Sequence, residues 1–172
     1  MSYVVGIDPG LFGAMAVLSE AGELKLLIDM PIYHYTKGES EKYEYDIKAI
    51  CKELMFFNNE YTIFLEKMQS MPPGFRVQAS FGLGKCEGIF EGMLTMRKLK
   101  YELVLPKDWQ KIFGITGAKG DKKSQSFQIA SRLFPTAELV TPKGRKIDGR
   151  ADALLIAEFG RRKLYGSVVR SS

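Results

Sequence analysis

Apolar runs of strand length recur along this chain, joined first by turns too short to hold a helix and later by segments long and periodic enough to form one. Tyr3–Asp8 (YVVGID) stops at Pro9-Gly10, and Ala14–Ser19 (AMAVLS) and Leu24–Met30 (LKLLIDM) are linked through Ala21-Gly22-Glu23. These spacings predict three consecutive antiparallel strands. Residues 31–43 (PIYHYTKGESEKY) mix polar and aromatic side chains without periodicity and predict a mobile loop. Ile47, Ile50, Cys51, Leu54 and Phe57 then fall at three- and four-residue steps, the signature of an amphipathic helix over Asp46–Phe57. Tyr61–Glu66 (YTIFLE) predicts a fourth strand.

After the MPPG breaker at 71–74, residues 78–98 predict a long helix in spite of Gly82, Gly84, Gly88 and Gly92, each costing about 1 kcal/mol relative to alanine. Gly84, Gly88 and Gly92 recur every fourth residue and so line one face, to pack against the chain's own sheet or against a second subunit. Tyr101–Leu105 predicts a fifth strand, and Pro106 opens a short helical turn carrying Trp109 to Phe113. Residues 114–123 (GITGAKGDKK) predict a Gly- and Lys-rich loop, Ser124–Phe134 a helix, 135–146 a loop, and Asp148–Lys163 a last helix. The expected fold class is α/β, a mixed five-stranded sheet flanked by helices, formed as a single domain over residues 1–172.

Composition narrows the chemistry. One histidine, His34, and two cysteines, Cys51 and Cys86, exclude a disulfide scaffold, a His-rich metal site and a Ser-His-Asp triad. The N-terminal residues lack a basic segment followed by an apolar one, and no apolar run approaches membrane-spanning length, so a soluble protein of a reducing compartment is expected, with its cysteines filling core. Charge is uneven: residues 1–118 carry 13 basic and 15 acidic side chains, a net −2, whereas residues 119–172 carry 12 and 5, a net +7. Such an asymmetry points to a polyanionic partner, nucleic acid before membrane; a solvated basic surface would give the same count.

Four carboxylates stand where core-like sequence meets an edge: Asp8 and Glu66 at strand ends, Asp148 and Asp152 at the start of the last helix. Four residues apart on a helix, Asp148 and Asp152 share a face. Acids brought this close repel unless a cation lies between them, and an all-carboxylate cluster selects hard ions such as Mg²⁺ or Mn²⁺. Each acid also has a structural reading: Asp8 starting a turn, Glu66 pairing with Lys67 or a helix, Asp148 capping a helix. Taken jointly, with no His or Cys nearby, they favour a metal site.

GIDPG at 6–10, the acid in FLEKM at 64–68 and ADALLIA at 151–157, in this order, resemble the RuvC Holliday-junction resolvases of the RNase H-like superfold, over nearly the whole chain. DGRAD at 148–152 spaces its aspartates by four where bacterial RuvC uses three, a form similar to phage-type relatives. The resemblance implies metal-binding acids at Asp8, Glu66 and Asp152 with Asp148 beside them, and a Mg²⁺ cofactor for which Mn²⁺ substitutes. KKSQ at 122–125 is similar to a family segment and places Lys123 as a catalytic lysine that offsets charge on the scissile phosphate. The family's aromatic wedge has no counterpart three residues after the strand-four acid, where Gln69 stands, which leaves Phe75 or Met68 as substitutes.

The activity implied is Mg²⁺-dependent, structure-selective endonuclease cleavage of four-way DNA junctions, by a homodimer whose paired sites cut opposing strands and leave 5′ phosphate and 3′ hydroxyl ends. The implied setting is the cytoplasm of a bacterial or phage-infected cell. Lys119, Lys122, Lys123, Lys143, Arg145, Lys146 and Arg150 bracket the acids in sequence and are the expected phosphate contacts, with Phe75 beside them. An RNase H-like nuclease for other branched, flap or RNA-containing duplexes would carry the same acids; a non-catalytic junction-binding protein and an actin-like ATPase fragment are weaker readings.

Overall fold

The computed structural model describes residues 2–68 and 77–166. The chain opens with three strands, β1 (Tyr3–Asp8), β2 (Ala14–Ser19) and β3 (Leu24–Asp29), followed by β4 (Ile32–Lys37) and β5 (Ser40–Tyr45). Helix α1 (Ile47–Met55), strand β6 (Tyr61–Glu66), helix α2 (Val77–Met96) and strand β7 (Lys100–Val104) come next, and α3 (Pro106–Ile112), α4 (Lys119–Leu133) and α5 (Asp148–Tyr165) close the order. The main sheet runs β3-β2-β1-β6-β7. β1 to β3 form an antiparallel meander, while β6 joins β1 and β7 joins β6 in parallel. This is the mixed five-stranded sheet that the spacings predict.

Alternation along each strand divides the core into two layers. Val4, Ala16, Leu18 and Phe64 face α3, α4 and α5, with Trp109, Ala130, Leu154 and Ala157 packed on them. Val5, Ile7, Met15, Ile63 and Leu65 face the other way, onto Ile50 and Leu54 of α1 and Cys86, Phe90 and Leu94 of α2. α5 lies very close to β1: a Cβ on Gly6 would stand 2.2 Å from the Ala157 nitrogen, so only glycine admits the helix there. Cys86 is buried and Cys51 half-buried, both as free thiols, in keeping with a filling role.

Three expectations are corrected. Residues 31–43 are not a loop: β4 and β5 pair as a separate two-stranded hairpin, closed by Gly38-Glu39 with Gly38 at a φ of +63°. Their polar and aromatic residues hide the pattern because both hairpin faces are largely exposed. α4 begins at Lys119, five residues early, so Lys119 opens a helix rather than sitting in a glycine loop. The glycine face of α2 does not pack on the sheet either: a Cβ at Gly84, Gly88 or Gly92 would meet nothing within 4 Å. Among the described residues no helix is long and apolar enough to cross a membrane.

Candidate active site

Parallel register sets Ile7 opposite Leu65, so Asp8 and Glu66 follow side by side at the carboxyl ends of β1 and β6. They belong to the strand faces of Val4 and Phe64, which look toward α5. Asp8 is held by its own turn, Oδ1 accepting from the Gly10 N–H at 2.9 Å. Glu66 Oε1 accepts from Trp109 Nε1 at 2.8 Å, and Trp109 is itself fully buried on α3. Asp148 is the first residue of α5 rather than its cap, which is Ile147 without a side-chain bond. Its Oδ2 instead takes the Lys123 ammonium of α4 at 2.9 Å. Asp152, one turn on, is hydrogen-bonded by Ser126 of α4.

The electrostatics tie these groups together. Burial pushes the Asp8 carboxyl above its ordinary range, against the pull of the Gly10 N–H and the Lys123 charge. Burial, followed by repulsion from Asp8, lifts Glu66 to about 8; the Trp109 bond opposes this and Asp152 adds to it. Burial and then Asp8 lift Asp152 to about 7, with Ser126 and Lys123 opposing and Asp148 reinforcing. Asp8, Glu66 and Asp152 therefore stand near enough to raise one another, and Asp148 adds to the rise at Asp152. A single ammonium, that of Lys123, acts on three of the four carboxylates, Asp148, Asp152 and Asp8.

The donor set suits a hard divalent cation, being all carboxylate oxygen and short of positive charge. Among the described residues, no three Asp, Glu, His or Cys side chains are drawn into ligating positions around one point. Asp148 is paired with Lys123.

The basic residues divide. Lys119, Lys143, Arg145 and Lys146 are exposed. Lys146 lies over the Phe127 ring of α4, 4.7 Å from its centroid, which brings the 141–146 turn onto the flank of α4 beside Lys119 and Lys123. Lys122 Nζ donates to Gln110 Oε1 at 3.1 Å. Arg150 is committed to holding the fold: Nε and Nη2 reach Asp29 at 2.6 and 3.1 Å, and Nη1 reaches the Glu138 carbonyl at 2.8 Å. Phe75 lies outside the described residues; Met68 follows β6 in an irregular segment.

Sequence reasoning assigned no site role to Trp109, Ser126 or Gly149. Ser126 follows Lys123 by three residues and so shares its helical face, a signal present in the sequence. Gly149 is required because a Cβ would stand 2.1 Å from the Phe12 carbonyl, where the turn after β1 presses on the first turn of α5. Trp109 carries no local signal; it meets Glu66 across 43 residues of sequence.

A strand meander extended in parallel by two further strands, with acids at the ends of its central pair and on a crossing helix, defines an RNase H-like α/β fold. No family model matches the chain, and no curated protein matches it in sequence. Among solved structures it is similar to T. thermophilus RuvC in complex with Holliday junction substrate, at a TM-score of 0.60 and 14% identity over 96% of this chain and 97% of that one. It is also similar to a second Thermus thermophilus RuvC structure, at a TM-score of 0.54 and 15% identity over 95% and 96%. The fold is RuvC-like along nearly the full chain.

Proposed function

We propose that this chain is a metal-dependent, structure-selective endonuclease that resolves four-way DNA junctions by paired cleavage. The observation that carries the reading is the placement of Asp8 beside Glu66 at the ends of paired parallel strands, with Asp152 of α5 close to both and Lys123 beside them, in a RuvC-like fold. The similar T. thermophilus protein is described in complex with Holliday junction substrate.

Asp8, Glu66, Asp148 and Asp152 are the residues that would hold Mg²⁺, or Mn²⁺ in its place. Bound there, such ions supply an activated water and polarise the phosphodiester. The chain's own groups do the rest. The Gly10 N–H, Trp109 Nε1 and Ser126 each hold one carboxylate, which restrains the acids beside one another. Lys123, held protonated by its bond to Asp148, is the cation free to move toward charge that builds on the phosphate once Asp148 has another partner. Lys119, Lys122, Lys143, Arg145 and Lys146 form the phosphate-binding flank. Cutting opposing strands requires two sites, and the open glycine face of α2 is the surface on which two copies would meet.

The deciding experiment is a cleavage panel in Mg²⁺ and in Mn²⁺ that compares a four-way junction with a flap, a linear duplex and an RNA:DNA hybrid. Preferential symmetric cutting of the junction is expected, lost in Asp8→Asn while junction binding persists. Equal cutting of all four substrates, or undiminished cutting by Asp8→Asn, overturns the assignment.

A further inference from the structure

We propose that Phe12, Tyr43 and His34 form a stacking surface for unpaired bases at a DNA branch, and that the hairpin bearing it turns intact duplex away. This deepens the nuclease reading above and rests on it.

The surface begins at the candidate site. Phe12 lies four residues past Asp8, in the turn pressed against Gly149 of α5. It is 61% exposed, an unusual placement for a phenylalanine whose backbone is so tightly packed. Its ring meets Tyr43 edge-on at 5.2 Å, and Tyr43 stacks on His34, its cross-strand partner, at 4.8 Å with planes 20° apart. The three rings thus make one row leading away from the acids, and Tyr43 remains 40% exposed.

The row is anchored. Tyr45, on the same hairpin face, donates its hydroxyl to the Pro9 carbonyl at 3.1 Å, and the Met30 N–H binds the Gly13 carbonyl at 2.9 Å. The site turn and the hairpin root therefore move as one piece. On the opposite hairpin face the aromatic groups are engaged with acids: Tyr35 donates to Glu44 at 2.6 Å and Tyr33 to Asp46. His34 of the row likewise contacts the Glu41 carboxylate, which leaves Phe12 and Tyr43 as the exposed aromatic rings beside the site turn.

Charge selects the occupant. Between Ile32 and Tyr45 stand two lysines, Lys37 and Lys42, against three glutamates, Glu39, Glu41 and Glu44, although the last third of the chain is strongly basic. Duplex DNA presents phosphates outward and meets repulsion here. Bases splayed from a branch present flat faces, which stack on aromatic rings without regard to sequence. The surface therefore combines an attraction for unpaired bases with a repulsive element against paired ones, the two halves of specificity.

The test uses the full chain in Mg²⁺, with Asp8→Asn to prevent cutting, and a four-way junction carrying 2-aminopurine at the branch, with a linear duplex of matching sequence as control. Wild-type aromatic residues are expected to change the 2-aminopurine emission on binding. Phe12→Leu with Tyr43→Leu should remove that change and weaken junction binding about tenfold, with duplex binding unaltered; Phe12→Trp should retain both. Glu39→Gln with Glu44→Gln should strengthen duplex binding severalfold. Unchanged emission and junction affinity in the double leucine variant overturn the proposal while leaving the nuclease reading intact. If the double leucine variant instead alters the sedimentation mass of DNA-free protein, the row is a protein contact and the proposal is overturned. Failure of the parent protein to favour junction over duplex refutes the nuclease reading itself.

Discussion

The Lys123 ammonium sits 2.9 Å from Asp148 Oδ2, joining α4 to the first residue of α5 beside the acid cluster. Its charge also reaches Asp8 and Asp152. Lys123 is thus the internal counter-ion of the cluster and the cation nearest to any phosphate placed there. Lys123→Ala is expected to slow single-turnover cleavage about 10²- to 10³-fold, the scale of losing one preorganised charge donor. Junction affinity in a gel shift should change far less, because five other cations remain on the flank. A large loss of affinity with an unchanged rate would make Lys123 a binding residue only.

Glu66 gives the protein a predictable response to pH. Its carboxyl is lifted from an ordinary value near 4.5 to about 8, chiefly by burial. A group whose pKa is higher in the folded state favours folding while it is protonated; that contribution is complete below about 4.5 and is lost as pH rises through 8. Asp152, lifted to about 7, acts in the same direction. Without divalent ions the melting temperature should fall between pH 5 and pH 9. Adding Mg²⁺ at pH 8 should raise it again, and Asp152→Asn should flatten the pH profile. A melting temperature insensitive to both pH and Mg²⁺ would deny that the acids form one cluster.

Much of this arrangement was legible because its signals are local. β1, β2 and β6 coincide with their apolar runs, and α5 starts at Asp148 as its spacing implies. The strand-end acids could be placed because Asp8 and Glu66 terminate buried runs, and parallel pairing of those runs then sets them side by side. The hairpin was not legible: with Tyr33, Tyr35 and Tyr43 exposed on two faces, no apolar alternation marks its strands. The first turn of α4 was obscured by Gly120 and three lysines, residues that are solvent-facing in a helix and equally at home in a loop. The Trp109–Glu66 bond, and the approach of α5 that demands Gly6, are tertiary, and nothing within a short window of sequence encodes them.

Trp109 is the positioning partner of Glu66. Its Nε1–H donates to Oε1 at 2.8 Å and holds the carboxyl pKa below where burial and Asp8 would otherwise put it. Trp109→Phe keeps a ring in the core but removes the donor. Without divalent ions the Glu66 pKa should rise further, and the midpoint of the fall in melting temperature with pH should move to higher pH. A purely structural tryptophan would lower stability without moving that midpoint. Leaving the acceptor unpaired costs about 1–3 kcal/mol in addition, readable by denaturant unfolding.

The far end of α5 is secured by charge as well as by the close seat of Gly160 on the Phe64 ring. Arg161, buried, makes a two-pronged contact with buried Glu158 at 2.7 and 2.9 Å, and Arg162 adds a third bond to the same carboxylate at 2.7 Å. Arg161 also reaches the Glu20 carbonyl at 3.3 Å, which pins the helix to the β2–β3 turn. Glu158→Ala leaves a guanidinium buried without its partner and should cost about 3–5 kcal/mol in urea unfolding. Replacing the pair together, Glu158→Leu with Arg161→Met, should recover most of that loss, since a packed apolar pair avoids desolvating two charges. Glu158 stands six residues beyond Asp152, about 9 Å along the helix, so the double variant should cleave like the parent below its melting temperature. If Glu158→Ala were as stable as the parent, the ion pair would contribute nothing to holding α5 against the sheet.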